Sequence, residues 1–548
     1  MRVTTAICAL MLTASPAYAQ HSPSHAAKQK PVELVASLGA YHHPITTRNP
    51  EAQKYFDQGL TLLYGFNHDE AAKYFRRAAE LDPDAAMPYW GLALSIGPNY
   101  NDAGVDEARA KATYDAVQNA QRHAPKASAA EQDYIRALAK RYASTDSKSD
   151  WKKFHQDYSE AMRDLVKKYP DDLDVATMFA ESLMMLRPWQ LWTADGQPAP
   201  GTLELVAVLE SVLRRNPEHP GANHFYVHAV EASNNLERAI PSAMRLMTLV
   251  PGAGHLLHMP GHIFMQTGDY DLSVQTNIRA AAADKSFVER TGSTGIYPLM
   301  YWTHNIHFIA YSNMQQGRYE DAKKAADEMA ANVGDADAQM QMIEGYTFFD
   351  VCAELRFHRW AEILKTPQPP ASRKLAVAFW YYARAMAYAG LGHMNEATEE
   401  RQKFYAARLV TPAESHYLLN NTSSDFLATA AAVLDARMAE ARGEKDASIK
   451  LWQRATELEA ALRYDEPPPW FYPIRESLGA ALLRNGQAVE AEGVFRKALE
   501  KRPRDGRLLF GLWQSLKAQN RASEAQLVEQ EFRAAWRNAT TELRIEDL

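Results

Sequence analysis

Cysteine is nearly absent from this chain: its 548 residues hold only Cys8 and Cys352. Cys8 lies in an N-terminal stretch that reads as removable, which leaves one thiol and no intramolecular disulfide. Stability therefore has to come from packing, helped by a ligand or metal if there is one. Cys352 itself reads as a buried small apolar residue, since no basic neighbourhood marks it as a nucleophile. Past the N-terminus no apolar run approaches the ~20 residues that a membrane-crossing helix needs. No polybasic block occurs either. Lys+Arg 60 against Asp+Glu 67 leaves a net charge of −7, which removes nucleic acid as a default partner. Phosphate loops, dinucleotide fingerprints, GxSxG elbows and HExxH motifs are missing as well. Gly and Pro, at 26 and 28 residues, exclude a collagenous or low-complexity chain.

The first positive feature is an export signal. Arg2 precedes an apolar run, Ala6–Leu12, and Ala17-Tyr18-Ala19 supplies an A-x-A cleavage site. The expected mature chain starts at Gln20 and lies in the periplasm or outside the cell, with no transmembrane segment left after cleavage of residues 1–19. Residues 20–50 are polar and irregular, with Pro23, Pro31 and Pro44, and read as a tail leading into the folded part.

From residue 51 onward, apolar residues and Ala recur at three- and four-residue spacing almost to the end, so the fold class is all-α. A 34-residue frame organises them. In 52–85 it places Tyr55, Gly59, Leu62, Ala71, Phe75, Ala78 and Pro83; in 472–505 the same positions hold Leu478, Gly479, Leu482, Ala491, Phe495, Ala498 and Pro503. Small residues at two helices' contact points let the helices approach, large apolar residues fill between them, and the late proline ends the second helix. That period and pattern are those of the tetratricopeptide repeat (TPR), a helix-turn-helix unit. Weaker copies start at 220, 254, 303, 378 and about 506, while 101–219 and 338–375 read as degenerate helical pairs. The expected organisation is one right-handed TPR-type α-solenoid with an N-terminal portion 51–219, a His-rich centre 220–336 and a C-terminal portion 337–548. Asn67 and Glu70, at the turn between the first two helices, read as a capping box around His68.

The resemblance extends beyond the repeat. Tyr64-Gly65-Phe66-Asn67-His68-Asp69-Glu70-Ala71, Ala86-Met87-Pro88-Tyr89-Trp90-Gly91 and Gly97-Pro98-Asn99-Tyr100-Asn101, with Asn223-His224 through His262 and Trp302 to His307, resemble a family of exported bacterial TPR proteins. The resemblance implies the fold and export, with a Gram-negative periplasm as the compartment, and it implies no reaction.

Histidine is the residue type whose distribution is uneven. Of 18 in the chain, seven fall between 224 and 307: His224, His228, His255, His258, His262, His304 and His307. In the repeat frame they occupy positions 2, 5 and 9 of first helices, three or four apart on one face, the face that lines the concave groove of such solenoids. Imidazoles at i and i+4 can share one ion, and Glu231 extends the His224/His228 stripe by a carboxylate. Pro260, between His258 and His262, is expected to break the helix and leave His255 and His258 in a preceding turn. The six rings of His224, His228, His258, His262, His304 and His307 are expected to converge, with His255 and Glu231 at the margin and Tyr226 and Tyr311 as groove residues able to donate protons. Two functions stay open at this point. One is a scaffold whose groove receives a peptide, a protein partner or a small ligand. The other is a metal-binding protein or metal-dependent enzyme using zinc or copper to activate water or oxygen.

Overall fold

The computed structural model describes residues 32–338 and 340–548. The expected signal segment with Cys8 lies outside the described residues. Among those residues the only strands are the two-residue pair His416–Tyr417 and Asn421–Thr422, joined antiparallel. Everything else regular is helical, and helices pack mainly on their sequence neighbours, as Pro50–Tyr64 does on His68–Leu81, Lys374–Gly390 on Met394–Val410, and Gly506–Ala518 on Ala522–Ala535. The chain is an all-α solenoid of helix hairpins.

The first hairpin shows how the sequence builds the unit. Asn49 caps the Pro50–Tyr64 helix by accepting from the amides of Glu51 and Ala52, with Pro50 at the first position, where no N–H is needed. Phe66 makes the turn at φ 55°. Phe75 of the second helix then fits between two glycines: a Cβ on Gly59 would stand 3.0 Å from its ring, and one on Gly91 of the following helix 2.4 Å. The C-terminal repeat reproduces the arrangement, with Phe495 between Gly479 (2.6 Å) and Gly511 (2.2 Å). The missing side chains are what let three successive helices close on one aromatic ring. The capping box expected at Asn67 and Glu70 does not form. The Asn67 amide is taken by the Leu62 carbonyl at 3.0 Å, its side chain makes no cap, and Glu70 pairs with Lys73.

Two apolar cores run through the array, one ending at Phe264 and the other beginning at Met265. They meet in the Pro260–Thr267 helix, in the middle of the His-rich segment. The array is also not an open groove along its length, because C-terminal units fold back on central ones. Arg504 donates to the Thr267 carbonyl at 2.9 Å and to Asp269, Arg502 to the Tyr311 hydroxyl at 2.9 Å, and Gln315 to the Phe471 carbonyl at 3.0 Å. The loop between the Lys445–Ala461 and Ile474–Arg484 helices is thereby carried onto the centre, with Trp470 buried as its anchor. Cys352 is a free, buried thiol, as the sequence leads one to expect.

Candidate metal centre

Histidines from four helices meet where the two cores join. His224 and His228 lie on the Pro220–Val230 helix, which Pro220 starts and the His219 side chain caps by accepting from the Ala222 amide. Every residue of that helix is buried. A helix buried all round has no solvent face, so its inner positions meet protein rather than an open groove. His255 and His258 lie in Gly254–His258, and His262 in Pro260–Thr267. Pro260 breaks the hydrogen-bond ladder but not the direction of the chain, because Met259 between the two helices keeps helical angles, φ −52° and ψ −35°. His255 and His258 are therefore helical, and His258 and His262 still stack one turn apart. His304 comes from Thr303–Gln315.

The ligand-capable atoms form two all-histidine groups, His224/His228/His255 and His258/His262/His304, and a third, His228/Glu231/His262, that overlaps both; within each group they lie within 4.8 Å of one another. Glu231 joins the groups: one carboxylate oxygen accepts from His228 Nδ1 at 2.9 Å and the other from His262 Nδ1 at 2.8 Å. Burial pushes the Glu231 carboxyl up, but the two imidazoles outweigh it and hold it below its usual range. His255 and Glu231 are thus central rather than marginal.

Hydrogen bonding fixes the tautomers. His224 Nδ1 faces the Tyr64 carbonyl, which can only accept. His258 Nδ1 is 2.7 Å from Asn277 Oδ1, and the orientation of that amide is set by its own N–H₂ donating to the Ser273 carbonyl at 2.8 Å. With Nδ1 carrying the proton in His224, His228, His258 and His262, the lone pair of each neutral ring is on Nε2. His258 and His262 point those nitrogens at each other across 2.7 Å, His224 Nε2 faces His255 Nε2 across 3.1 Å, where His255, its Nδ1 unpartnered, can donate, and His228 Nε2 has no partner at all. Burial, reinforced by the neighbouring rings, holds His224, His255, His258 and His304 well below the usual imidazole value of 6.5. Burial also lowers His262, against the pull of Glu231. Protonating a ring to fill these contacts is thus disfavoured, whereas a cation fills them directly. Two nitrogens bound at 2.0–2.1 Å in tetrahedral geometry stand about 3.3 Å apart, so the 3.1 Å pair needs almost no movement and the 2.7 Å pair a small opening.

Apolar rings wall the centre. Phe66 lies 4.4 Å from His224 and 5.6 Å from His255, ring centre to ring centre, and Phe308 lies 4.6 Å from His258 and 5.1 Å from both His262 and His304. A second carboxyl, Glu466, arrives from the C-terminal loop against His262 Nδ1, tied in place by Gln266, which reaches Glu466 and Tyr464 at 2.8 Å each. Burial and the charge of Glu231 push Glu466 up.

Three expected site residues lie elsewhere. His307 sits between Tyr346 and Phe349 with both ring nitrogens unpartnered, and burial pushes it down to about 3. It is one turn along from His304 but directed into a separate apolar pocket of packing. Tyr226 turns outward from the centre to donate to Glu210 at 2.7 Å, and Tyr311 is bound by Arg502. Neither is a proton donor for the histidines. Asn277, the Tyr64 carbonyl, Phe66, Phe308 and Glu466 carry no metal-site signal in the sequence, since none is a histidine and Asn277, Tyr64, Phe66 and Glu466 join the centre from segments with no histidine periodicity.

His43, Asp172 and Asp174 also gather three possible ligand atoms, but these are committed elsewhere. Asp174 accepts from Tyr41 at 2.7 Å, from Tyr64 and from His43 at 2.7 Å, and Asp172 caps the Leu173–Met184 helix. The cluster clamps the chain around residues 41–43 to the solenoid.

Residues 51–85 match the tetratricopeptide repeat. The solved structures similar to the chain include a TPR protein from Parabacteroides merdae, at 13% identity over 64% of this chain and 99% of that one, TM-score 0.32. Human IFIT1, solved as a dimer with a capped RNA, has 12% identity over 90% and 91%, TM-score 0.30. The Cut9–Hcn1 hetero-tetramer of the APC/C has 13% over 92% and 77%, TM-score 0.29. No curated protein matches the sequence.

Proposed function

We propose that this is an exported metalloprotein built on a TPR-type solenoid, in which the two three-histidine groups hold metal ions and Glu231 orients a ligand of each. The observation that carries the reading is the pair His258 and His262. Both rings have their Nδ1 proton committed, to Asn277 and Glu231, so two bare Nε2 lone pairs face each other in a buried site. Ligating histidines commonly donate the second ring nitrogen to a carbonyl or carboxylate in this way. An all-imidazole set suits zinc, copper, iron or nickel. The decisive experiment is elemental analysis of native protein purified without an affinity tag, together with His224→Ala and His262→Ala. Metal in the wild type and a smaller metal content in each variant, which removes a ligand from one group only, are expected; a metal-free wild type that binds none on titration would overturn the reading.

The repeat match at 51–85 favours a second, compatible role, a scaffold for a protein partner. The histidines are too buried to serve as that contact surface, so a partner would dock on the outer faces of the hairpins. Export rests on the A-x-A signal and the family resemblance. Mass spectrometry of native material should find Gln20 as its first residue, and an intact Met1 would refute it.

A further inference from the structure

The two histidine groups are coupled by more than adjacency. One carboxylate, Glu231, holds a ring of each; the His228 and His262 rings are 5.7 Å apart, and the His255 and His258 rings stack at 5.6 Å. Each group has three imidazoles and one phenylalanine wall, Phe66 on one side and Phe308 on the other. Building on the metal-binding reading above, we propose that the pair is a dinuclear copper centre that takes up dioxygen as a two-electron acceptor.

Three features select copper. The imidazole donors of the two three-histidine groups, with no thiolate among them and Glu231 hydrogen-bonded to Nδ1 of one ring in each, accept both of its oxidation states, and at such donors the divalent ion binds more tightly than zinc. Cu(I) is content with three nitrogens, the number each group provides, whereas zinc at three histidines completes its shell with a water as fourth ligand, which the phenyl-walled interior does not favour. Charge points the same way. Two zinc ions bring four positive charges into the interior and two Cu(I) ions only two, and uncompensated buried charge is costly. The surroundings select dioxygen. Of the six rings only His304 is part-exposed, the other five being buried, and the walls are phenyl rings. Such a site suits a small neutral molecule and not a peptide or sugar. In the uptake step each Cu(I) gives one electron, and dioxygen receives both. Its double bond becomes a single bond, and peroxide dianion is held between two Cu(II) ions; no proton or further reductant is required.

The test uses the full chain, stripped of metal and reloaded with Cu(I) under argon. Two coppers per chain are expected, and on admitting air an absorption from peroxide-to-copper charge transfer, with no electron paramagnetic resonance signal because the two Cu(II) spins cancel. His304→Ala and, in the other group, His228→Ala should each bind one copper and give an ordinary single-ion Cu(II) signal after oxidation, with unchanged circular dichroism showing that they fold. Two copper ions that give full, uncoupled signals would overturn the inference while leaving the metal-binding reading intact. So would a protein that takes zinc but not copper, or a copper form indifferent to air. Failure to bind any metal would remove both.

Discussion

At the scale of single residues, the centre depends on which ring nitrogen carries a proton, and that is decided by neighbours rather than by the histidines. Asn277 is the clearest case: its amide is oriented by Ser273 and leaves His258 no choice of tautomer. Asn277→Leu should lower metal affinity by about 10–100-fold, the usual effect of losing such a partner, and a competitive chelator titration would measure it; an unchanged affinity would mean that His258 is not a ligand. Buried histidines outside the centre make a second prediction. Burial and nearby arginines push His68 and His155 from 6.5 down to about 3. The unfolded chain therefore binds more protons than the folded one between those values. Stability falls as pH drops through that window, by about 1.4 kcal/mol per pH unit for each histidine, and is unaffected by these groups above it. Urea midpoints at a series of pH values should show this slope, and His155→Leu should flatten it. The i,i+4 spacing of His224/His228 and His258/His262 was legible in the sequence because it is local. The Tyr64 carbonyl, Asn277 and Glu466 were not, since nothing in one chain's text links residues brought together only by packing.

At the scale of helices and hairpins, the repeat frame was read correctly at both ends because glycine and phenylalanine at fixed spacing have a direct steric meaning. Phe75 and Phe495 each need two glycines, and the second of each pair sits in the next unit, closer to the ring than the first. Gly91→Leu and Gly511→Leu should therefore destabilise by about 1–3 kcal/mol or more through overpacking, and by more than the same change at Gly59. Denaturant titration decides this, and equal effects at Gly59 and Gly91 would count against the contact geometry. Sequence reasoning erred in the central units for an identifiable reason. Positions 2, 5 and 9 of the repeat frame place the histidines on an open groove, but Pro220–Val230 is buried on every side, so repeat position no longer reports exposure. Pro260 likewise reads as the end of a helical path, but a proline at the first position of a new helix interrupts one hydrogen bond and keeps the track.

At the scale of the whole molecule, the C-terminal repeats close over the centre, so ligand binding in the middle should be felt far along the chain. A metal at a hundredfold excess over its dissociation constant adds about 2.7 kcal/mol of stability. Hydrogen exchange should slow in the Gly254–His258 and Pro260–Thr267 helices and also around 464–466, which touches the centre through Gln266. Slowing confined to the central helices would show that the loop is not mechanically joined to them. The same closure sets an order of events during synthesis. Gln266 and Glu466 are 200 residues apart, and a contact across so long a loop forms only after its closure entropy has been met. The histidines between 224 and 304 can assemble well before the segment that covers them exists or has docked. For that interval the half-built centre lacks the Glu466 contact, and on the metal-binding reading proposed above this is when an ion would reach it most easily. The loop at 464–466 that later docks against His262 would then make the timing of ion capture part of the folding of the chain.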